Sequence, residues 1–158
     1  ISIIKIKKRA NNFHARHSAK RRVYKYLILN RIGNPIIQKK KVWLIKQKLN
    51  LDKMKKACKL LEGTKDFSTF RSSSCNANSP IRTINKVTIK KLNDLIEIRF
   101  ISKSFLKQQV RSMVGCLKRV GDGTWSDLYF KKVINSRNRS ECASIAPPEG
   151  LYLEKVYY

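Results

Sequence analysis

Two tyrosines, one arginine and a cluster of cations are the strongest candidates for a functional site in this sequence. Tyr24 and Tyr26 are two positions apart in the run VYKYLIL, so a strand would project them from the same face. Arg111 lies on the polar side of an apolar helical pattern. Aromatic rings can stack on a nucleobase, and a guanidinium holds a carboxylate or phosphate through paired hydrogen bonds. The alternatives are a core tyrosine at Tyr24 and a solvated helix arginine beside Lys107 at Arg111.

Positive charge dominates the composition. The 158 residues include 36 Lys and Arg against 10 Asp and Glu, which gives a formal net charge of +26. An excess on this scale attracts polyanions and is typical of nucleic-acid-binding proteins, although a compositional bias of the source would also produce it. We expect contacts with nucleic-acid phosphates from five cations on or beside the tyrosine strand and farther along the chain: Lys20, Arg21, Arg22, Arg71 and Arg82.

The sequence gives little indication of a metal site, a disulfide or a membrane-spanning helix. The cysteines are widely spaced and form no CxxC pair, so we expect no zinc site and reduced thiols. No apolar run approaches the roughly 18 residues that a membrane helix needs. The sequence therefore predicts a soluble, cytoplasmic protein whose thiols are Cys58, Cys75, Cys116 and Cys142.

The hydrophobic pattern predicts one α+β domain over residues 1–158, with a mixed or antiparallel sheet and helices packed on one face. Helices are predicted over residues 51–62, with Asn50 as the cap, from Ser104 to about residue 120, and after Ser126. Strands are predicted over residues 1–8, 23–29, 84–92, 95–101 and 151–158. The second strand would then carry the tyrosines and the second helix would carry Arg111.

Four blocks of the sequence together resemble the bacterial TruA family of tRNA pseudouridine synthases. They are FHARHSAKRRVYKYLILN at 13–30, LLEGTKDFSTFR leading into SPIRTI within 60–84, SFLKQQVRSMVGCLKRVGDGTW at 104–125, and APPEGLYLEKVYY at 146–158. They occur in the order and at about the spacing found in that family.

The resemblance implies that uridine in the anticodon stem-loop of tRNA is isomerised to pseudouridine by a homodimer, without a metal or organic cofactor. In the family the catalytic aspartate lies in an R-T-D-x-G-V-H-type motif upstream of these blocks, and this sequence lacks that motif. We therefore expect that the chain is a C-terminal half that does not form pseudouridine alone. Its own aspartates are predicted to have structural roles in helix starts, turns and loops: Asp52, Asp66, Asp94, Asp122 and Asp127.

The resemblance also assigns roles to individual residues. Tyr24 would stack on the target base, Arg111 would pair with the absent aspartate, and Phe105, Leu151 and Leu153 would form the walls of the uracil pocket. Ordinary core packing remains an alternative for the three apolar residues.

A second hypothesis is a basic RNA-binding module without catalytic activity, or a degenerate remnant of the enzyme. The four ordered blocks favour the synthase, and the missing aspartate motif keeps this second hypothesis open. Two departures from the family pattern count against full activity more than against the fold: Gln108 and Gln109 before the arginine, and Ser112 in place of the usual asparagine.

Overall fold

The computed structural model describes residues 3 and 5–158, and within them one mixed sheet packs against helices. The predicted α+β class is confirmed. The elements in chain order are β1 (Arg21–Asn30), β2 (Trp43–Ile45), α1 (Leu51–Leu60), β3 (Gly63–Asp66), β4 (Ile81–Leu92), β5 (Leu95–Ser102), α2 (Gln109–Gly121), α3 (Asp127–Ser136) and β6 (Leu151–Tyr157).

Strand β1 is the centre of the sheet. The path runs β2-β1-β5-β4-β3, and β6 pairs with the N-terminal part of β1 on the edge that β2 occupies farther along. β5 pairs antiparallel with β1 from Arg22 to Leu29, whereas the short β2 pairs parallel. Since β1 has partners on both edges, its side chains are fixed in direction.

One face of the sheet is buried and carries the core. Along β5, Ile96, Ile98 and Phe100 are almost fully buried, and the alternate residues are only partly covered. On β1, Tyr26 and Ile28 have no exposed surface. This period-two alternation is expected for a sheet covered on one side.

Helix α1 follows its sequence pattern closely. Met54, Ala57 and Cys58 recur at helical spacing and are buried, and the Asn50 side chain accepts a hydrogen bond from the Lys53 amide at 3.0 Å. Gly63, with φ of +96°, makes the reversal into β3. The predicted start of α3 is confirmed in the same way, because Ser126 caps it by accepting from the Tyr129 amide.

The predicted start of the second helix at Ser104 is wrong. α2 begins at Gln109, after Gln108 adopts a left-handed backbone with φ of +63°. The preceding segment is held by a loop instead: the Lys107 carbonyl accepts from the Ser72 amide at 3.1 Å, and the Lys107 amide donates to the sulfur of Cys75 at 3.5 Å. These tertiary hydrogen bonds replace the first helical turn that the periodicity predicts.

Two other differences concern short or terminal segments. The strand expected over residues 1–8 is not present at residues 3 and 5–8, and its remaining positions lie outside the described residues. β2 and β3 were not predicted, because three or four residues are too few for periodicity to be read. None of the helices in the described part of the chain is long and apolar enough to cross a membrane.

Candidate functional site

A cavity of about 910 Å³ opens where β1, the β5–α2 connection and the loop over residues 72–77 meet. Its wall includes a tyrosine, a phenylalanine, polar loop residues and several cations. The lining residues used below are Arg16, Arg22, Tyr24, Cys75, Arg82, Lys103, Phe105, Lys107, Gln109, Arg111 and Leu151.

An aromatic pair forms one wall of the cavity. The rings of Tyr24 and Phe105 meet edge to face, with centroids 5.2 Å apart and planes at 87°. Tyr24 is half-buried and stands opposite Phe100 of β5 and Leu153 of β6 in the sheet register. The arrangement holds the Tyr24 ring in one orientation, which favours stacking on a planar ligand.

Two of the three predicted apolar wall residues reach this cavity. Phe105 and Leu151 line it, whereas Leu153 does not and is 53% exposed. Leu153 nevertheless pairs with Tyr24 across the β1–β6 register, so it lies beside the aromatic wall. Its pocket-wall role remains a prediction.

Arg111 is anchored at one end of its guanidinium. Its Nε donates to the carbonyl of Ala146 at 2.6 Å, and the Ala146 amide donates to the Arg111 carbonyl at 3.2 Å. We call residues 142–147 the crossing segment, because they pass directly over α2. Within residues 3 and 5–158, no carboxylate forms an ion pair with Arg111. Its terminal amino groups are therefore available to an anion from elsewhere.

The crossing segment is fixed at two further points. A Cβ at Gly115 would overlap the Ser144 carbonyl oxygen, so this glycine permits the close approach. The buried hydroxyl of Tyr26 donates to the Pro147 carbonyl at 2.6 Å, and burial raises the pKa of Tyr26 well above its ordinary value. Tyr26 thus supports the site from beneath Tyr24, as its place on the same strand face predicts.

The cavity is strongly electropositive. Among the residues that the structure describes, its lining contains six arginines and lysines and no aspartate or glutamate. None of the five aspartates lines the cavity. Four of them occupy the settings predicted for them, and Asp122, for example, pairs with Lys118 at 2.6 Å. Asp66, predicted in a loop, is instead the last residue of β3 and accepts from the Ser68 amide. The cavity is suited to an anion rather than to acid–base work by its own carboxylates.

Only some of the five predicted RNA-binding cations lie at the cavity. Arg22 and Arg82 line the cavity, and the other three do not. Arg71 donates to the carbonyls of Cys75 and Ala77 at 2.6 and 2.7 Å, so it shapes the cavity loop from behind. Arg21 lies over the Tyr157 ring at 4.0 Å, and Lys20 is exposed beside it. Their contacts with RNA remain predictions.

Gln109 is a cavity residue that the sequence singled out only as a departure from the family pattern. It is fully buried, its Oε1 accepts from the Leu106 amide at 2.8 Å, and its Nε2 has no hydrogen-bond partner. Lys103 and Lys107 were likewise not selected, although both line the cavity. Their proximity to the tyrosine strand depends on the β5–α2 connection, which has no signature in the sequence.

In the described part of the chain, no three His, Cys, Asp or Glu side chains cluster as a metal ion would require. His17 lines the cavity, and the His14 ring accepts from the backbone amides of Arg16 and His17, which holds these neighbouring residues together.

Comparisons with known proteins add independent findings. A family model described as tRNA pseudouridine synthase matches residues 57–158. The chain is 56% identical to tRNA pseudouridine synthase A of Pelagibacter ubique over 158 residues, 46% identical to that of Mesorhizobium japonicum, and 40% identical to that of Parvibaculum lavamentivorans. In each comparison the whole of this chain is matched, and it spans 64% of the relative's length.

Proposed function

The chain belongs to the tRNA pseudouridine synthase family, and on that premise we propose that it takes part in converting uridine to pseudouridine in the anticodon stem-loop of tRNA. The observation that carries the proposal is a single cavity that contains both Tyr24 and Arg111 among six cations and, within the described residues, no carboxylate. Such a cavity suits a flipped nucleotide with its phosphate, and it leaves room for a carboxylate from another segment.

The reaction is an isomerisation that needs no external oxidant or reductant. The bond between N1 and C1′ breaks, the base turns, C5 bonds to C1′, the C5 proton leaves and N1 gains a proton. Tyr24 would hold the uracil face during this rotation. Phe105 and Leu151 would keep water from the ring, with Leu153 at the margin.

In this proposal Arg111 holds the nucleophilic carboxylate. Its Nε is already bound to the Ala146 carbonyl, which leaves the outer edge of the guanidinium for a two-pronged contact. The positive charge keeps that carboxylate ionised. We propose that the carboxylate is the family's aspartate, supplied from a segment outside these 158 residues, and that this chain corresponds to the C-terminal half of the enzyme.

The first experiment measures pseudouridine in an unmodified tRNA transcript, at low salt, with this chain alone. We expect no product. The same assay is then repeated after adding the portion of the Pelagibacter ubique relative that has no counterpart here, either in trans or as a fusion, and we expect activity to appear. A restored protein that binds tRNA but forms no pseudouridine would overturn the proposal.

Substitution of Arg111 tests the carboxylate-holding role in the restored protein. Arg111→Ala should lower the rate by about 100-fold or more, since a preorganised charged contact at a reacting group is removed. Arg119→Ala on the same helix is the matched control, because Arg119 does not line the cavity. Equal losses in both variants would contradict the role of Arg111.

Substitution of Tyr24 tests base stacking. Tyr24→Phe keeps the ring and should retain tRNA binding, whereas Tyr24→Ala should weaken binding by about 10- to 100-fold, as expected when an aromatic contact with a base is lost. If both variants bind like the parent protein, Tyr24 is a packing residue only.

The second candidate function is RNA binding without catalysis, which the absence of a carboxylate in the described lining favours. Binding to tRNA would then fall steeply with salt whether or not the missing portion is supplied. Arg22→Ala or Arg82→Ala should each make the dependence of log binding constant on log salt less steep by about one, as expected when one phosphate contact is lost. Lys53→Ala, at an exposed position of α1 outside the cavity, is the control. Lys20, Arg21 and Arg71 belong to the same proposed phosphate-binding set.

The remaining parts of the proposal concern assembly and location. We propose a homodimer for the restored protein, to be checked by its sedimentation mass with and without tRNA, and action in the cytoplasm, where tRNA is modified. A restored protein that is active as a monomer would remove the dimer from the proposal.

A further inference from the structure

Two cysteines that the proposed reaction does not use lie side by side beneath the site. The sulfur of Cys116, on α2, is 3.5 Å from the sulfur of Cys142, at the start of the crossing segment, and 26 positions separate them in sequence. Cys116 is fully buried and Cys142 is partly exposed, and both are free thiols. Cys142 is therefore the more exposed residue of the pair.

We propose that Cys116 and Cys142 are a redox pair, which a hydroperoxide converts reversibly to a disulfide that ties the crossing segment to α2. A disulfide needs the sulfurs about 2.05 Å apart, so they must approach by about 1.5 Å. The two elements that the link would join are already in close contact, because Gly115 allows the crossing segment to lie directly on the helix.

The surroundings of the two thiols shift their pKa values in opposite directions. The hydrogen bond from Cys116 and the positive charge of Arg139 lower the pKa of Cys142, against the effect of burial. The same hydrogen bond, together with burial, raises the pKa of Cys116. The Arg139 guanidinium is itself held by the Ser112 hydroxyl at 2.9 Å. The more exposed of the two cysteines is thus the one with more thiolate character.

The proposed chemistry balances in two steps. The Cys142 thiolate attacks the peroxide oxygen, which releases hydroxide and leaves a sulfenic acid on Cys142. The Cys116 sulfur then attacks the sulfenic sulfur, a disulfide forms, and the proton of Cys116 leaves with the hydroxyl group as water. A dithiol reductant reverses the change by thiol–disulfide exchange.

The expected consequence is a tighter crossing segment. That segment supplies the Ala146 carbonyl to Arg111 and the Pro147 carbonyl to Tyr26. A covalent link at its first residue would therefore hold both anchors in place. The other two thiols lack this arrangement: Cys58 is buried and its pKa is raised to about 12, and Cys75 contacts the Lys107 amide in the cavity wall.

The test uses the purified 158-residue chain, reduced and then exposed to hydrogen peroxide in small excess. We expect the thiols open to alkylation under denaturing conditions to fall from four to two, and peptide mapping to find a Cys116–Cys142 link that dithiothreitol removes. The oxidised chain should melt about 5–10 °C higher than the reduced one, as expected for a cross-link closing a loop of this length.

Variants keep the test decisive. Cys116→Ala should yield a Cys142 sulfenic acid that dimedone labels, and Cys58→Ser, the control, should form the link as the parent does. A link through Cys58 or Cys75, an oxidised form that melts at or below the reduced one, or no link at peroxide levels that oxidise glutathione would overturn the proposal. The parent chain's peptide map decides the matter even if Cys116→Ala does not fold.

Discussion

Gly115 tests whether the contact between α2 and the crossing segment is as close as the structure indicates. In an isolated helix, alanine in place of glycine would stabilise by about 1 kcal/mol. At Gly115, however, the added Cβ would overlap the Ser144 carbonyl oxygen, which is backbone and cannot rotate away. We therefore expect Gly115→Ala to destabilise the protein, which is opposite in sign to the helix-propensity expectation.

The magnitude follows from the contacts that the shift would disturb. Overpacking of a well-filled site costs about 1–3 kcal/mol. Displacing the crossing segment also weakens its two hydrogen bonds with Arg111, each contributing about 1 kcal/mol. After the propensity gain is subtracted, the free energy of unfolding should fall by about 2–4 kcal/mol.

Urea unfolding followed by circular dichroism would measure this change, and the melting temperature should drop by about 5–15 °C for a chain of this size. Gly33→Ala is the control, because the atom nearest to its added Cβ would be Arg31 Nε at 3.9 Å. If Gly115→Ala is as stable as the parent or more stable, the crossing segment does not pack on α2 as closely as described. The resulting position of the Ala146 carbonyl beside Arg111 is then refuted as well.

Three further predictions concern individual supports of the fold. Tyr26→Phe removes the hydroxyl that donates to Pro147 and should cost about 1–2 kcal/mol by urea unfolding, whereas an unchanged stability would show the bond to be dispensable. Asn50→Ala removes the cap of α1 and should cost about 1 kcal/mol, and Asn50→Asp should retain most of it if capping is the reason. The hydrogen bond from Arg99 lowers the pKa of Glu154, so this pair stabilises the fold at pH values above the ordinary glutamate pKa, and the stabilisation is lost as the pH falls through the lowered pKa. Glu154→Gln should therefore make the free energy of unfolding fall less steeply with decreasing pH in the acidic range. An equally steep fall in the parent and the variant would contradict this.

Local patterns were sufficient for most of the secondary structure. The alternation along residues 84–92 and 95–101, joined by a short polar turn, predicted the β4–β5 hairpin, and the structure bears this out with Asn93 at φ of +53° in the turn. The helical spacing in α1, its cap at Asn50 and the start of α3 after Ser126 were also predicted correctly. These features depend on residues a few positions apart, so they are visible in the sequence.

The start of α2 could not be predicted from local patterns. Periodicity extended the helix back to Ser104, but hydrogen bonds from Ser72 and to Cys75 hold residue 107 in a loop. The partners are more than thirty positions away, and no local signal records them. The same reason explains why Lys103, Lys107 and Gln109 were not chosen as cavity residues.

The charge, the periodic elements and the ordered blocks that indicate the family can be read from the sequence, because each depends on residue type and short spacing. The tertiary structure sets which of those residues come into contact. It brings Arg111 to Ala146 across 35 positions and Cys116 to Cys142 across 26, and it turns Arg71 toward loop carbonyls rather than into the cavity. Such pairings follow from how sheet and helices pack, since contacts between distant segments are set by the whole buried core and not by any one stretch of chain.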